Sequence, residues 1–220
     1  MTESLILAIE ASTYTGTVAV ISVSGVVSER EVAMRGKEEE RLMPAVAEAL
    51  SEAGVPVNEL GAVVCGGGPG SFTSLRIAAS IAKGIASGCG IPLYSAPSLL
   101  LMVAGSACSN IAGRYLAVLD AMREEVFAAC YEISAGGTIQ EIAPATLLST
   151  SSLEASAAAL DAKIMGVGRQ LEAIPHARGV ALCRRSGLIS VDVGAWEPEY
   201  GRLAEAQVRW ELTNARPLRH

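Results

Sequence analysis

Gly66-Gly67-Gly68-Pro69-Gly70-Ser71-Phe72-Thr73-Ser74-Leu75-Arg76 is the stretch on which the fold turns. The apolar run Gly61-Ala62-Val63-Val64-Cys65 leads into it, and a helical pattern over residues 74 to 88 leaves it. β-rich residues, then glycines and a proline, then helix formers spell strand, tight turn and helix. Such a turn lies at a strand's carboxyl end, where open α/β sheets place ligands or partners. Two readings of the turn stand at this point. It is a glycine-rich corner chosen for close backbone approach, with Ser71 or Thr73 capping the helix, or its N–H groups hold an anion at the helix start. It is neither standard phosphate motif: Ser71 stands where the dinucleotide fingerprint needs glycine, and no Gly-Lys-Ser/Thr closes the loop.

At 220 residues the chain can bury a substantial core, and 50% apolar with 18% charged residues argues against disorder. The formal net charge of -6 disfavours direct binding to a phosphate backbone. Five cysteines, with no Cys-x-x-Cys pair, read as reduced buried thiols. His176 and His220 are the only histidines, so no transition-metal site is expected. The sequence shows no signal-peptide pattern and no apolar run of about 18 residues, and a cytoplasmic protein that does not engage membranes is expected.

Taken in order, residues 5 to 9, 17 to 23 and 26 to 32 read as three strands with an antiparallel start. Leu42, Ala45, Val46, Ala49 and Leu50 give residues 38 to 53 a helical stripe ending at Gly54. A short strand over 91 to 95 and a helix opened by Ser98 over 99 to 107 complete a first lobe, 1 to 109. The second lobe, 110 to 220, opens as the first does. Residues 115 to 120 echo 5 to 10, and 126 to 132 echo 17 to 23, which suggests an internal duplication. Leu147 and Leu148, a helix over 153 to 160 and a strand over 163 to 168 follow. Residues 175 to 195 read as strand or irregular chain. Trp196, Pro198, Tyr200 and Trp210 are expected to anchor the tail to the body.

The run GGGPGSFTSLRIAASIAKGIA resembles the GxGPGSFTGxRxGxxxAkGLA stretch of the bacterial TsaB/YeaZ family, with Ser74 and Ala78 replacing two of its small residues. Residues 196 to 202 resemble that family's terminal Pro-x-Tyr-x-Arg segment, and the likeness is good over about residues 3 to 170. It implies the α/β fold of the actin/Hsp70/sugar-kinase superfamily, ribonuclease H-like and two-lobed, with a reduced second lobe. It also implies a non-catalytic partner of TsaD, the subunit that makes N6-threonylcarbamoyladenosine in tRNAs reading ANN codons. TsaE would be a further partner, with a homodimer when the chain is alone and tRNA reached only through the complex. The isolated chain would bind no cofactor, while ATP/ADP and metal would belong to the assembly.

The resemblance also assigns the partner surface to the 38 to 53 and 74 to 88 helices. Arg41, Met43, Ala47, Phe72, Leu75, Arg76, Ala79, Ala82 and Lys83 are its candidate residues. Glu10, Gly68, Gly70, Ser71 and Asp120 mark a vestigial or complex-dependent nucleotide region, since catalytic superfamily members keep carboxylates at the ends of these two strands. A phosphotransferase of sugar-kinase type using Glu10 and Asp120 is the alternative. Asp120 also suits a role within its own turn, or as a partner of Arg123. The TsaD-type metal pair is missing: residues 98 to 103 hold no histidine, and Glu38 or Glu39 stands where many family members have one. A peptidase lacks any Gly-x-Ser-x-Gly elbow or a second internal histidine.

Overall fold

The computed structural model describes residues 5–34, 40–183 and 187–201. Glu38, Glu39, Arg202 and Trp210, named above, lie outside them. The first sheet begins with β1 (Leu5–Glu10), β2 (Thr15–Ser22) and β3 (Gly25–Ala33), which pair as an antiparallel meander. Helix α1 (Leu42–Ala53) then crosses to β4 (Leu60–Gly66), parallel to β1. Helix α2 (Phe72–Cys89) crosses to β5 (Leu93–Ala96), parallel to β4, and α3 (Ser98–Gly105) follows.

The second sheet repeats this plan. Strands β6 (Gly113–Asp120), β7 (Glu125–Ile133) and β8 (Ile139–Ser149) form a meander, and α4 (Leu153–Leu160) crosses to β9 (Lys163–Met165), parallel to β6. The order β8-β7-β6-β9 copies β3-β2-β1-β4. After α5 (Val180–Cys183), the chain returns to the first sheet as β10 (Ile189–Val191), antiparallel to β5. This is the ribonuclease H-like arrangement that the resemblance implied, though residues 1 to 109 do not build the first sheet alone. The long edge strand β8 extends well beyond Leu147 and Leu148. Within 175 to 195, β10 is the expected strand and α5 a helix the pattern did not reveal.

Alternation along the strands divides the core into three layers. Leu7 and Ile9 of β1 face α1 and α2, with Val18, Val63 and Cys65 beside them. Ala8 points the other way, into a layer holding α3 and the inner faces of β6 and β7, including Tyr115, Leu119 and Phe127. Leu116, Val118 and Ala128 turn outward beneath α4. Every residue of α3 is buried, as an uncharged Ser-Leu-Leu-Leu-Met-Val-Ala-Gly helix requires.

The stretch that joins β9 to α5 is clasped to the edge of the first sheet through His176. Its Nδ1 accepts the Arg178 N–H at 3.1 Å, so Nε2 carries the proton and donates to Glu31 Oε1 at 3.0 Å. Beside it, Ala177 N–H donates to Thr17 Oγ1 at 2.9 Å and Arg178 Nε to the Gly105 carbonyl at 2.8 Å. Burial, helped by Arg178, holds the His176 pKa below its ordinary 6.5. The neutral ring therefore stabilises the fold fully above 6.5. As pH falls below that value the unfolded chain takes up a proton that the folded chain resists, and the contribution is lost through the folded pKa. In melts from about pH 8 to about pH 5, where histidine titrates, His176→Gln is expected to flatten the acid-side loss of thermal stability.

The turn between β6 and β7 carries Met122, Arg123 and Glu124 at φ 63, 57 and 61. Left-handed backbone costs a non-glycine residue about 1–2 kcal/mol, and all three side chains are exposed. Glu124→Gly removes the clash of Cβ with backbone while keeping the Glu124 carbonyl that accepts the Thr150 N–H at 2.8 Å. Set against the greater freedom of glycine in the unfolded chain, a net gain of about 0.5–1 kcal/mol is expected in urea unfolding.

Candidate functional site

The glycine-rich turn joins the carboxyl end of β4 to α2, with the end of β1 on one side and that of β5 on the other. Three of its amides are spent within the protein. Gly67 N–H donates to the Ala96 carbonyl at 2.7 Å, Gly68 N–H to Ser98 Oγ at 3.1 Å and Ser71 N–H to the Ser12 carbonyl at 2.7 Å. The Gly68 carbonyl accepts the Ser98 N–H at 2.9 Å. Ser71 occupies the N-cap position, yet its hydroxyl pairs with Ser74 Oγ at 3.1 Å instead of a helix N–H, and Gly70 packs on the Ser12 backbone. Of the two sequence readings, the close-approach corner is the one whose bonds are made; the expected side-chain cap is not.

Glu10 is the centre of this corner. Its side chain is fully buried at the end of β1, where Oε1 accepts the Ser12 N–H at 2.5 Å and Oε2 accepts the Ser98 hydroxyl at 2.9 Å. A side chain at Gly66 would occupy the space of this carboxyl group. Burial raises the Glu10 pKa, against the lowering effect of bonds from Ser12 and Ser98. Burial also pushes the adjacent Cys65 thiol far up, so it is no nucleophile. Asp120, at the matching point of the second sheet, is exposed and accepts the N–H of Met122 in its own turn at 2.8 Å. The two carboxylates expected to serve one nucleotide region therefore differ in setting and task. Among the described residues, no group of three His, Cys, Asp or Glu side chains could hold a metal ion.

The chain's tail crosses this corner. Glu199 N–H donates to the Gly67 carbonyl at 2.7 Å, and the Glu199 carbonyl fills the place of any side chain at Gly68, whose φ is 92. Pro198 is buried, Trp196 packs against the α1/α2 core, and the Tyr200 ring lies 4.4 Å from that of Phe72. These three residues anchor the tail as expected. Sequence reasoning missed Ser12 and Ser98 as members of the corner, because nothing in short-range patterning connects them to Glu10 or Gly68.

The candidate partner residues divide. Arg41, Met43 and Ala47 are exposed on α1, Arg76 is exposed on α2, and Phe72 and Lys83 are half-buried there. Leu75, Ala79 and Ala82 are a correction: they are buried within the chain, at 0, 5 and 0% exposure. Ala78, Ala82 and Ala86 recur at helical spacing on the side of α2 that meets the sheet, where small side chains let helix and sheet approach closely, and Leu75 is buried beside Gly68. The open side is Arg76, Ser80, Gly84 and Ser87.

Fold and corner together define a ribonuclease H-like protein whose glycine corner is crossed by its own residues 198–200. The family model for TsaD, tRNA N6-adenosine threonylcarbamoyltransferase, matches residues 23–175. The tRNA threonylcarbamoyladenosine biosynthesis protein TsaB of Escherichia coli is 35% identical over 132 residues, 60% of this chain and 57% of that protein. The Bacillus subtilis protein of the same name is 30% identical over 139 residues, 63% of this chain and 59% of that protein. The match thus spans little more than half the length of these curated relatives. A solved Pseudomonas aeruginosa structure, described as an uncharacterized protein with similarity to peptidase YEAZ, is 26% identical. It superposes with a TM-score of 0.76 over 90% of this chain and 100% of its own. YeaZ from the same organism superposes at 0.71 with 23% identity, over 90% of this chain and 99% of its own. The chain belongs to the TsaB/YeaZ family, within the wider family that the TsaD model describes.

Above pH 4.5, the ordinary glutamate value, the unfolded Glu10 carboxyl ionises while the buried one resists. Its contribution is complete below 4.5 and is lost as pH rises through the folded pKa. Glu10→Gln is expected to remove this decline, while Glu10→Ala, which strands the Ser12 N–H and the Ser98 hydroxyl, costs about 1–3 kcal/mol. Denaturant unfolding of both variants over a pH series measures each effect.

Proposed function

We propose that this chain is a non-catalytic subunit in tRNA threonylcarbamoyladenosine formation, one that docks a TsaD-type catalytic chain through the outer faces of α1 and α2. The observation that carries this reading is that three N–H groups of the glycine corner and the carboxyl behind it are paired within the protein. Gly67, Gly68 and Ser71 give their N–H groups to protein acceptors, and Glu10 is a buried strut. A phosphotransferase needs donors facing a nucleotide and a carboxylate free for its metal, so the sugar-kinase alternative draws no support from this arrangement. The peptidase reading fares no better: His176 bonds Glu31 and the Arg178 amide in a structural clasp. ATP or ADP, metal and tRNA then belong to the assembly in the cytoplasm, with TsaE a further member and a homodimer the state of the chain alone.

On α1 the inward stripe leaves Arg41, Met43 and Ala47 outside, with Met43 45% exposed. A large charge at such a position obstructs docking without entering the core. Met43→Arg is expected to weaken both self-association and TsaD binding at least about tenfold, the scale of an interface hot spot, while leaving the melting temperature near wild type. Light scattering and a TsaD titration measure this. Reconstitution of tRNA modification with TsaD, TsaE and a TsaC-type protein is the test of function. Modification should fall to background when this chain is omitted, and the isolated chain should show no ATPase activity. Equal modification without it, or ATP turnover abolished by Glu10→Ala, would sink the proposal.

A further inference from the structure

Residues 196–200, Trp-Glu-Pro-Glu-Tyr, lie on the glycine corner in the manner of a bound peptide. The segment belongs to none of the strands or helices of the fold. Its main chain meets the corner through the Glu199 N–H, which donates to the Gly67 carbonyl at 2.7 Å, while the Trp196 N–H turns back to the Asp192 carbonyl at 2.9 Å. One residue before this bond Pro198 is buried, and one residue after it Tyr200 stacks on Phe72 with ring centroids 4.4 Å apart and planes at 48°. Arg76 Nε donates to the Tyr200 hydroxyl at 3.2 Å, and the guanidinium carbon sits 4.4 Å from the Phe72 centroid and 5.8 Å from that of Tyr200. A main-chain bond flanked by a buried proline and a stacked aromatic is how extended peptides are recognised.

The receiving groups come from the turn and the first turns of α2. The turn is set independently of the tail by the Gly67–Ala96, Gly68–Ser98 and Ser71–Ser12 bonds and by Glu10 behind them. Gly68 completes the receptor, because any side chain there would displace the Glu199 carbonyl. We propose that the glycine corner and the start of α2 form a binding site for an extended Pro-x-Tyr peptide, which this chain fills in cis with residues 196–200. The ligand class follows from the contacts: a proline, a residue with a free backbone N–H, then a tyrosine whose hydroxyl meets a guanidinium. Chain connectivity makes the cis segment a competitor at an effective concentration of about millimolar or more, so the same peptide in trans finds the site closed until the segment is weakened.

The full-length chain carrying Tyr200→Ala, tested with a labelled synthetic peptide copying residues 195–201, decides this. The Glu199 amide should exchange faster with solvent than in wild type, and the peptide should bind the variant at least about tenfold more tightly than wild type. Adding Phe72→Ala should return binding to the wild-type level, and a peptide with alanine for its tyrosine should not bind. Glu199→Pro, which removes the segment's N–H to the Gly67 carbonyl and leaves the receiving groups of the turn and α2 intact, gives a second way to loosen the latch if Tyr200→Ala loses its circular dichroism signature. Folded variants that bind the peptide no better than wild type overturn the proposal, as does binding that Phe72→Ala leaves intact.

Discussion

A carboxyl group with no access to water sits where two crossovers of the first sheet meet, and the corner depends on what surrounds it. Glu10 receives Ser12 from its own loop and Ser98 from the start of α3. Ser98 in turn holds both the N–H and the carbonyl of Gly68. One buried side chain thus fixes the spacing between the end of β1, the glycine turn and α3. Burying such a group is tolerable only when its hydrogen bonds are made. Gly66 follows from the same constraint, since no side chain fits beside the carboxyl. The carboxylate that the sequence placed in a nucleotide region is here a structural post.

Much of the architecture was legible because the segments are long and periodic. The stripe Leu42, Ala45, Val46, Ala49, Leu50 of α1 was read residue for residue. The opening strands of both halves carry the apolar runs of central strands. β8 escaped because it is an edge with most of its side chains in solvent, so it has no buried face to print an alternation. α5 escaped because four residues make barely one turn. The alanines of α2 were misassigned for a different reason: periodicity says that they share a face, while which face meets the sheet depends on the crossover. Their small size permits close approach to a partner or to the subunit's own strands, and at Ala82 the strands won.

The site was less legible than the fold. Glycines, Glu10 and the tail aromatics stood out by type, but their relations are long-range. Ser98 meets Glu10 across 88 positions of sequence, and Tyr200 meets Arg76 across 124. No spacing rule reaches so far. The glycines signalled that something would come close to the backbone; that the visitor is the chain's own Glu199 needed the folded geometry.

Helix α3 has a mechanical consequence. Proteins of two lobes that close around a ligand do so by hinge or shear across a boundary that can part. Here Leu99, Met102 and Val103 share one apolar layer with Ala8 and Ile21 of the first sheet and with Tyr115, Leu119 and Phe127 of the second. Opening a cleft between the sheets would wet that layer, and close-packed interiors resist gradual deformation. The two halves should therefore tumble and respond as one stiff unit, and a load applied at the outer face of α1 would be carried across the molecule without being absorbed by a joint.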